Sequence, residues 1–308
     1  VKPHIALKSH AAVPHTIKFA TKFSLAIGVL GAVALAAIAI PAAKPDDGEQ
    51  GLLRADRAVF ATGSPAALKD SLLDPNFTWT DSSGNTQSKS EILQAIRSGE
   101  NMSIQAGILK AHDYRQVGIV QENSGKVFVL RIWIKKKSGW RLLIYHAVTS
   151  GAPSSSEAVK GTCENPCNTV PFQPRTEKER EVIQAYQSVE RAVTAHDSSA
   201  WGSHIANEFF AVTSNSDRPL DKVTRMAGLD NQKVAGIAAF PLVSARMFKF
   251  GDAMVMTSRQ QPEHGLPLHV TRVWFKRNGV WLEAYSYQTT IQAPPLPDKK
   301  LRQNQPAN

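Results

Sequence analysis

Between residues 176 and 195 apolar positions follow a helical rhythm: Val182, Tyr186, Val189 and Val193 recur at intervals of four, three and four, which sets them on one helix face. Thr176 and Glu179 have capping-box spacing at its start. A weaker copy of that face is Leu52, Ala55, Val59 and Thr62. Short helices are expected at 65–73 and 199–205, and a strand at 77–80 that turns at Ser83, Gly84 and Asn85. A further helix opens at Ser88 with Glu91 as capping partner, and Asp221 holds the matching cap later on. What remains alternates as strands, at 103–114, 116–122, 126–137 and 140–149, then at 241–250, 252–259, 268–277 and 280–291.

The order repeats because the residues repeat. Arg131, Trp133, Lys135 and Trp140 return as Arg272, Trp274, Lys276 and Trp281 at one offset. The block at Arg57 matches that at Arg191, and Tyr114–Val120 matches Phe250–Met256. Phe77, Trp79 and Asp81 align with Phe210, Val212 and Ser214. Two copies are therefore expected, at 49–150 and 176–292. A Pro/Ser/Gly-rich linker (151–175) lies between them, and a tail (293–308) is expected to be disordered. Helices, one strand, a helix and then long strands make an α+β domain with a curved sheet wrapped around helices. Along 127–134, Val127, Val129, Arg131 and Trp133 face one way, and Phe128, Leu130, Ile132 and Ile134 the other. Both faces are mainly apolar, so both need cover. The copy's own helices take one face. A second copy's sheet is expected on the other, as an intramolecular pseudo-dimer or a homodimer.

Trp79, Asp81, Ser88, Glu91, Arg131, Trp133, Gly139, Trp140 and His146, at these spacings, resemble the SnoaL-like family of the nuclear-transport-factor-2-like (NTF2-like) superfamily, of the domain-of-unknown-function 4440 type. The resemblance covers copy one and, more loosely, copy two. It implies tandem cone-shaped, cystatin-like domains, each a curved antiparallel sheet around N-terminal helices with a pocket between them. It also implies that His146 projects into the cone and that Asp81 lies near its rim. The fold hosts isomerases, cyclases, dehydratases, scaffolds and binding modules, so it does not name an activity.

Charge changes the picture mainly at the start of the chain. Four lysines (Lys2, Lys8, Lys18 and Lys22) precede an apolar run from Phe23 to Ile40, and no acid appears before Asp46. Residues 1–43 are expected to be a signal peptide or an N-terminal membrane anchor, with the body exported. The body would be periplasmic or secreted, tied to the inner membrane by 23–40 in the anchor case. The net charge of +10 owes much to those lysines. No basic cluster is interleaved with aromatics, so no nucleic-acid partner is expected. Cys163 and Cys167 suit a small-loop disulfide in an exported protein, with free thiols as the alternative. His196, His204 and His269 lack metal spacing, and no phosphate loop is present, so neither metal nor cofactor is expected.

Candidate chemistry concentrates in copy one. His146 is either an acid–base group or a hydrogen-bonded structural one. Asp81 is a desolvated base or the acceptor of a turn. Arg131 binds an anionic ligand or pairs with an acid. Trp79, Tyr114 and Trp133 form a pocket wall or a core. In copy two, Tyr287, Ser214 and Val212 replace His146, Asp81 and Trp79, so that copy is expected to be structural. The leading expectation is an exported small-molecule-binding protein with an apolar pocket in copy one. One alternative is an acid–base isomerase or cyclase using His146 and Asp81. The other is a membrane-anchored envelope interaction module.

Overall fold

The computed structural model describes residues 48–99, 107–151, 163–231, 239–263 and 265–292. The expected leader or anchor, the linker up to residue 162 and the tail fall outside them. Among the described residues no helix is long and apolar enough to cross a membrane.

The first half runs α1 (Glu49–Phe60), α2 (Ala66–Leu72), β1 (Leu73–Thr80), β2 (Thr86–Ser88), α3 (Lys89–Arg97), β3 (Ile108–Asp113), β4 (Val117–Ser124), β5 (Val127–Lys136) and β6 (Gly139–Thr149). The second follows the same order with α4 (Glu177–Ala195), α5 (Ser198–Ser203), β7 (Ile205–Thr213), β8 (Leu220–Asp221), α6 (Lys222–Asn231), β9 (Leu242–Phe250), β10 (Ala253–Gln260), β11 (Leu268–Arg277) and β12 (Val280–Thr290). Each forms a six-stranded sheet, β2-β1-β6-β5-β4-β3 and β8-β7-β12-β11-β10-β9. These are two tandem α+β units of one topology.

The sheets are mixed rather than antiparallel: β1 runs parallel to β6 and β7 parallel to β12. No hairpin joins either pair, so no tight turn imposes opposite directions. β1 also starts four residues earlier than the sequence pattern predicts. Its register against β6 shifts between Leu73 and Thr78, around Pro75, which has no N–H for a regular ladder.

Local signals seat the helices. Ser88 accepts from Glu91 N while Glu91 Oε2 accepts from Ser88 N, a complete capping box on α3. On α4 only half of the expected box forms: Thr176 accepts from Glu179 N, but the Glu179 carboxylate accepts from Arg175 N instead. Lys89 Nζ donates to Leu73 O and Lys222 Nζ to Ile205 O, so one tie pins the third helix of each half to its first strand.

These ties and the strand pairs correct the repeat alignment by one residue. Leu73 pairs with Leu142 as Ile205 pairs with Glu283, and Trp79 pairs with Tyr145 as Ala211 pairs with Ser286. Phe77 therefore corresponds to Phe209, Trp79 to Ala211 and Asp81 to Thr213. The sequence alone does not separate Phe209 from Phe210, because either of two adjacent phenylalanines fits a motif that short.

The two sheets pack face to face. Ile119, Leu130, Ile132 and Val148 of the first share one apolar cluster with Val255, Val273, Phe275 and Tyr287 of the second. Polar bonds stitch the seam: Gln121 Nε2 donates to Tyr287 Oη at 3.2 Å, and Thr289 Oγ1 to the carbonyl of Ala147 at 2.7 Å. Helices cover the opposite face of each sheet, so β5, apolar on both sides, has both sides buried.

A β-bulge decides which way the last strand of each half points. Ile132 pairs with Ile144 but Trp133 with Leu142, leaving Leu143 extra; Ala284 is the extra residue in β12. The insertion reverses the alternation beyond it. Trp140, Leu142, Tyr145 and Ala147 therefore face the helices, while Ile144 and Val148 face the other sheet.

Candidate functional site

The bulge removes His146 from the cone. Simple alternation put it on the face of Trp140 and Leu142, but it lies in the seam between the sheets, 1% exposed. Its Nδ1 is 2.8 Å from Thr271 Oγ1 and its Nε2 3.0 Å from Thr289 Oγ1, both in the second half. Burial, with His269 adding a little, lowers its pKa to about 3. The folded ring is thus neutral where the unfolded one takes a proton below about pH 6.5. Its contribution to stability is present above 6.5 and is lost as pH falls from there towards 3, at up to ~1.4 kcal/mol per pH unit. In urea unfolding at stepped pH, His146→Gln should flatten the acid limb by about one proton relative to wild type. A wild-type–variant difference that stays constant from pH 7 to 4 would refute this.

Asp81 is a turn residue. Its carboxylate accepts from Ser83 N at 2.8 Å, Asn85 N at 2.9 Å and Asn85 Nδ2 at 3.1 Å. Asp81 and His146 are not brought together as an acid–base pair, since each spends its polar atoms on other partners. Tyr114 also belongs to the seam: its ring stacks on Phe275 at 4.1 Å and its hydroxyl lies 2.9 Å from Tyr285 Oη.

Three expected site residues do lie in the first cone, where they fill it. Arg131 is fully buried, with Nε 2.9 Å from Asp56 Oδ1 and Nη1 2.6 Å from Glu122 Oε2. The Phe60 ring sits 4.8 Å from its Cζ. Trp133 Nε1 donates to Asp56 Oδ1 at 3.0 Å. Burial raises Asp56 to about 6, against the lowering pull of Arg131 and Trp133. Trp79 stacks on Tyr145 with centroids 3.5 Å apart, and Phe60 leans on both rings. This arginine pairs with acids, and these aromatics are core. The pocket expected in copy one is occupied by its own side chains.

The hollow is in the second half. A cavity of about 240 Å³ is lined on its apolar side by Val189, Val193, Trp201, Phe209, Ala211 and Phe240, and on its polar side by Glu190, Arg225, Gln260, Arg272, Glu283 and Ser286. Its cause is legible in the repeat. The stacked pair Trp79 and Tyr145 becomes Ala211 and Ser286, which sit side by side on β7 and β12 and both line the void.

The buried charges are rearranged rather than copied. Arg272 takes the place of Arg131, with Nη2 3.3 Å from Glu190 Oε1 and Nε 3.4 Å from Glu283 Oε1. Glu190 corresponds to Asp56. The second carboxylate has moved, from Glu122 on β4 to Glu283 on β12, where the first half has Leu142. Gln260 Nε2 donates to Tyr186 Oη at 2.9 Å beneath this group. Burial raises both glutamates despite Arg272, Glu283 to about 7. A carboxyl that titrates near neutrality on the wall of a cavity can give or take a proton.

None of Glu190, Arg225, Arg272 and Glu283 stood out in the sequence as a site residue. The signals were present: Arg272 repeats Arg131, and Glu283 interrupts an apolar strand. Cys163 and Cys167 are joined by a disulfide, and Asn165 between them pairs with Leu242 through both N–H and carbonyl, closing that loop on β9.

Fold and cavity together define an α+β protein of two cone-shaped units, one filled and one hollow. No protein-family model matches the sequence, and no curated protein matches it. Among solved structures, the chain is similar to an NTF2-like protein from Cytophaga hutchinsonii, 16% identical, covering 38% of this chain and 100% of that one with a TM-score of 0.34. It is similar to an NTF2-like protein of unknown function from Pseudomonas putida, 16% identical, covering 40% and 90% with a TM-score of 0.32. A protein of unknown function with a cystatin-like fold from Nostoc punctiforme is 14% identical, covering 41% and 98% with a TM-score of 0.32.

Proposed function

We propose that this protein binds a small molecule in its second half, and that the filled first half is its structural partner. The observation that carries the reading is the cavity of about 240 Å³ at the two positions where aromatic rings have become Ala211 and Ser286. Apolar walls with a few convergent polar groups suit a ligand of modest size. This moves the ligand from the copy where the sequence placed it to the other one. We further propose that both halves are SnoaL-like domains of the 4440 type and that the protein works outside the cytoplasm. The basic segment ahead of an apolar run and the disulfide support export.

Ala211→Trp restores a ring where the first half has one. Screening small molecules by thermal shift should find ligands that stabilise the wild type, by about 2.7 kcal/mol at a hundredfold excess over Kd. The same ligands should leave Ala211→Trp unmoved. Equal stabilisation of both proteins would place the ligand elsewhere and end this reading.

A further inference from the structure

Resting on that second-half site, we propose that its ligand is a compact apolar monocarboxylate seated on Arg225. The argument begins with what stands at this position in the other half. Ser88 and Asp221 cap equivalent helices, and Lys89 and Lys222 make the same tie. Counting along α3 and α6 from those caps sets Arg225 opposite Ile92, a buried member of the first half's apolar core. The hollow unit thus carries a guanidinium where the filled unit carries a hydrocarbon.

That guanidinium makes no hydrogen bond and no ion pair within 4 Å among the described residues, although it lines the cavity; burial lowers its pKa, against a longer-range pull from Glu190. Arg272, 5% exposed, lines the same cavity, and its Nη1 has no hydrogen-bond partner among them either. A desolvated arginine with no acid in contact is costly, and a carboxylate matches its fork with two parallel bonds.

The cavity also holds two carboxylates, which on their own would invite a cation. Both, however, lie against Arg272, at 3.3 and 3.4 Å, and Arg225 adds a longer-range pull on Glu190. Burial moves Glu283 to about 7, which removes part of its negative charge at neutral pH. Arg225 is the cation whose fork no acid in the cavity meets. The rest of the ligand meets Val193, Trp201 and Phe209, so it is apolar. A volume of about 240 Å³ lies below the ~300–1,000 Å³ usual for drug-sized ligands, so it is compact.

The test is calorimetric titration of hexanoate, benzoate, phenylacetate and 3-phenylpropionate, each beside its neutral amide and its amine. The proteins are the full chain, Arg225→Gln, Arg225→Lys and Ala211→Trp. At least one acid should bind the wild type tenfold or more tightly than its amide. Arg225→Gln should cost that acid about tenfold or more, the scale of one charge-assisted bond, and leave the amide unchanged. Arg225→Lys should recover part of the loss. The proposal is overturned if acid and amide bind alike, if an amine binds best, or if Arg225→Gln weakens acid and amide equally. In those cases binding still abolished by Ala211→Trp would keep the cavity as a site. Binding indifferent to Ala211→Trp, or none by any probe, would overturn both readings.

Discussion

Arg131→Met should cost about 3–5 kcal/mol of folding stability, because it leaves Asp56 and Glu122 facing each other with no cation between them. Both carboxylates are at most 5% exposed, and burial already holds Asp56 at about 6 with Arg131 in place. Without the guanidinium each must take a proton or stay charged in an apolar setting, and either course is paid in stability. Apolar replacement of the whole group gives a sharper result. Asp56→Leu, Glu122→Leu and Arg131→Met together remove the desolvation cost with the charges, so the triple variant should return to within about 2 kcal/mol of wild type. Some residual loss is expected, since Trp133 Nε1 loses its acceptor. Urea unfolding midpoints of the single and triple variants settle the matter. If the single variant unfolds within about 1 kcal/mol of wild type, Arg131 is spare in the folded protein and is available to an anion after all.

The fold could be read from the sequence where a local rule and a long-range pattern agreed. Paired tryptophans at one offset, Arg131 with Arg272, and the caps at Ser88 and Asp221 located two like units because each signal carries its own physics. The direction of β1 is hidden, because side chains alternate between the two faces with a period of two whichever way the neighbouring strand runs. The site was hidden for a more specific reason. Facing on a strand was counted by twos, and one extra residue, Leu143, reverses the count before His146. The same miscount turned a seam histidine into a cone histidine; Tyr287 does hold its position in the second half, and it too lies in the seam.

The aromatic and polar residues that the first half keeps look, in the sequence, like the lining of a pocket. In a closed unit such residues fill space. The informative positions were those where bulk disappears while charge remains: Ala211 and Ser286 beside Arg225, Arg272 and Glu283. A second sequence half that loses two rings yet keeps an arginine and gains a buried glutamate is poorly explained as decay. Unanswered buried charges would be expected to be lost along with the packing around them.

That contrast can be run in reverse. Trp79→Ala with Tyr145→Ser should give the first half the hollow of the second. Trp79→Ala alone should cost about 3 kcal/mol, the low end for such a truncation because the ring is only partly buried. The double variant should cost less than the two singles added, since the stacked contact at 3.5 Å can be lost only once. The opened space would have Ile92 where the second half has Arg225, so it should accept neutral apolar molecules and refuse acids. Made in an Ala211→Trp background, which closes the second half, the variant should gain stability from indole or benzene and none from benzoate or phenylacetate. Benzoate binding there would show that anion preference does not come from Arg225. No gain from any neutral probe would show that these two ring positions do not by themselves decide which half is hollow.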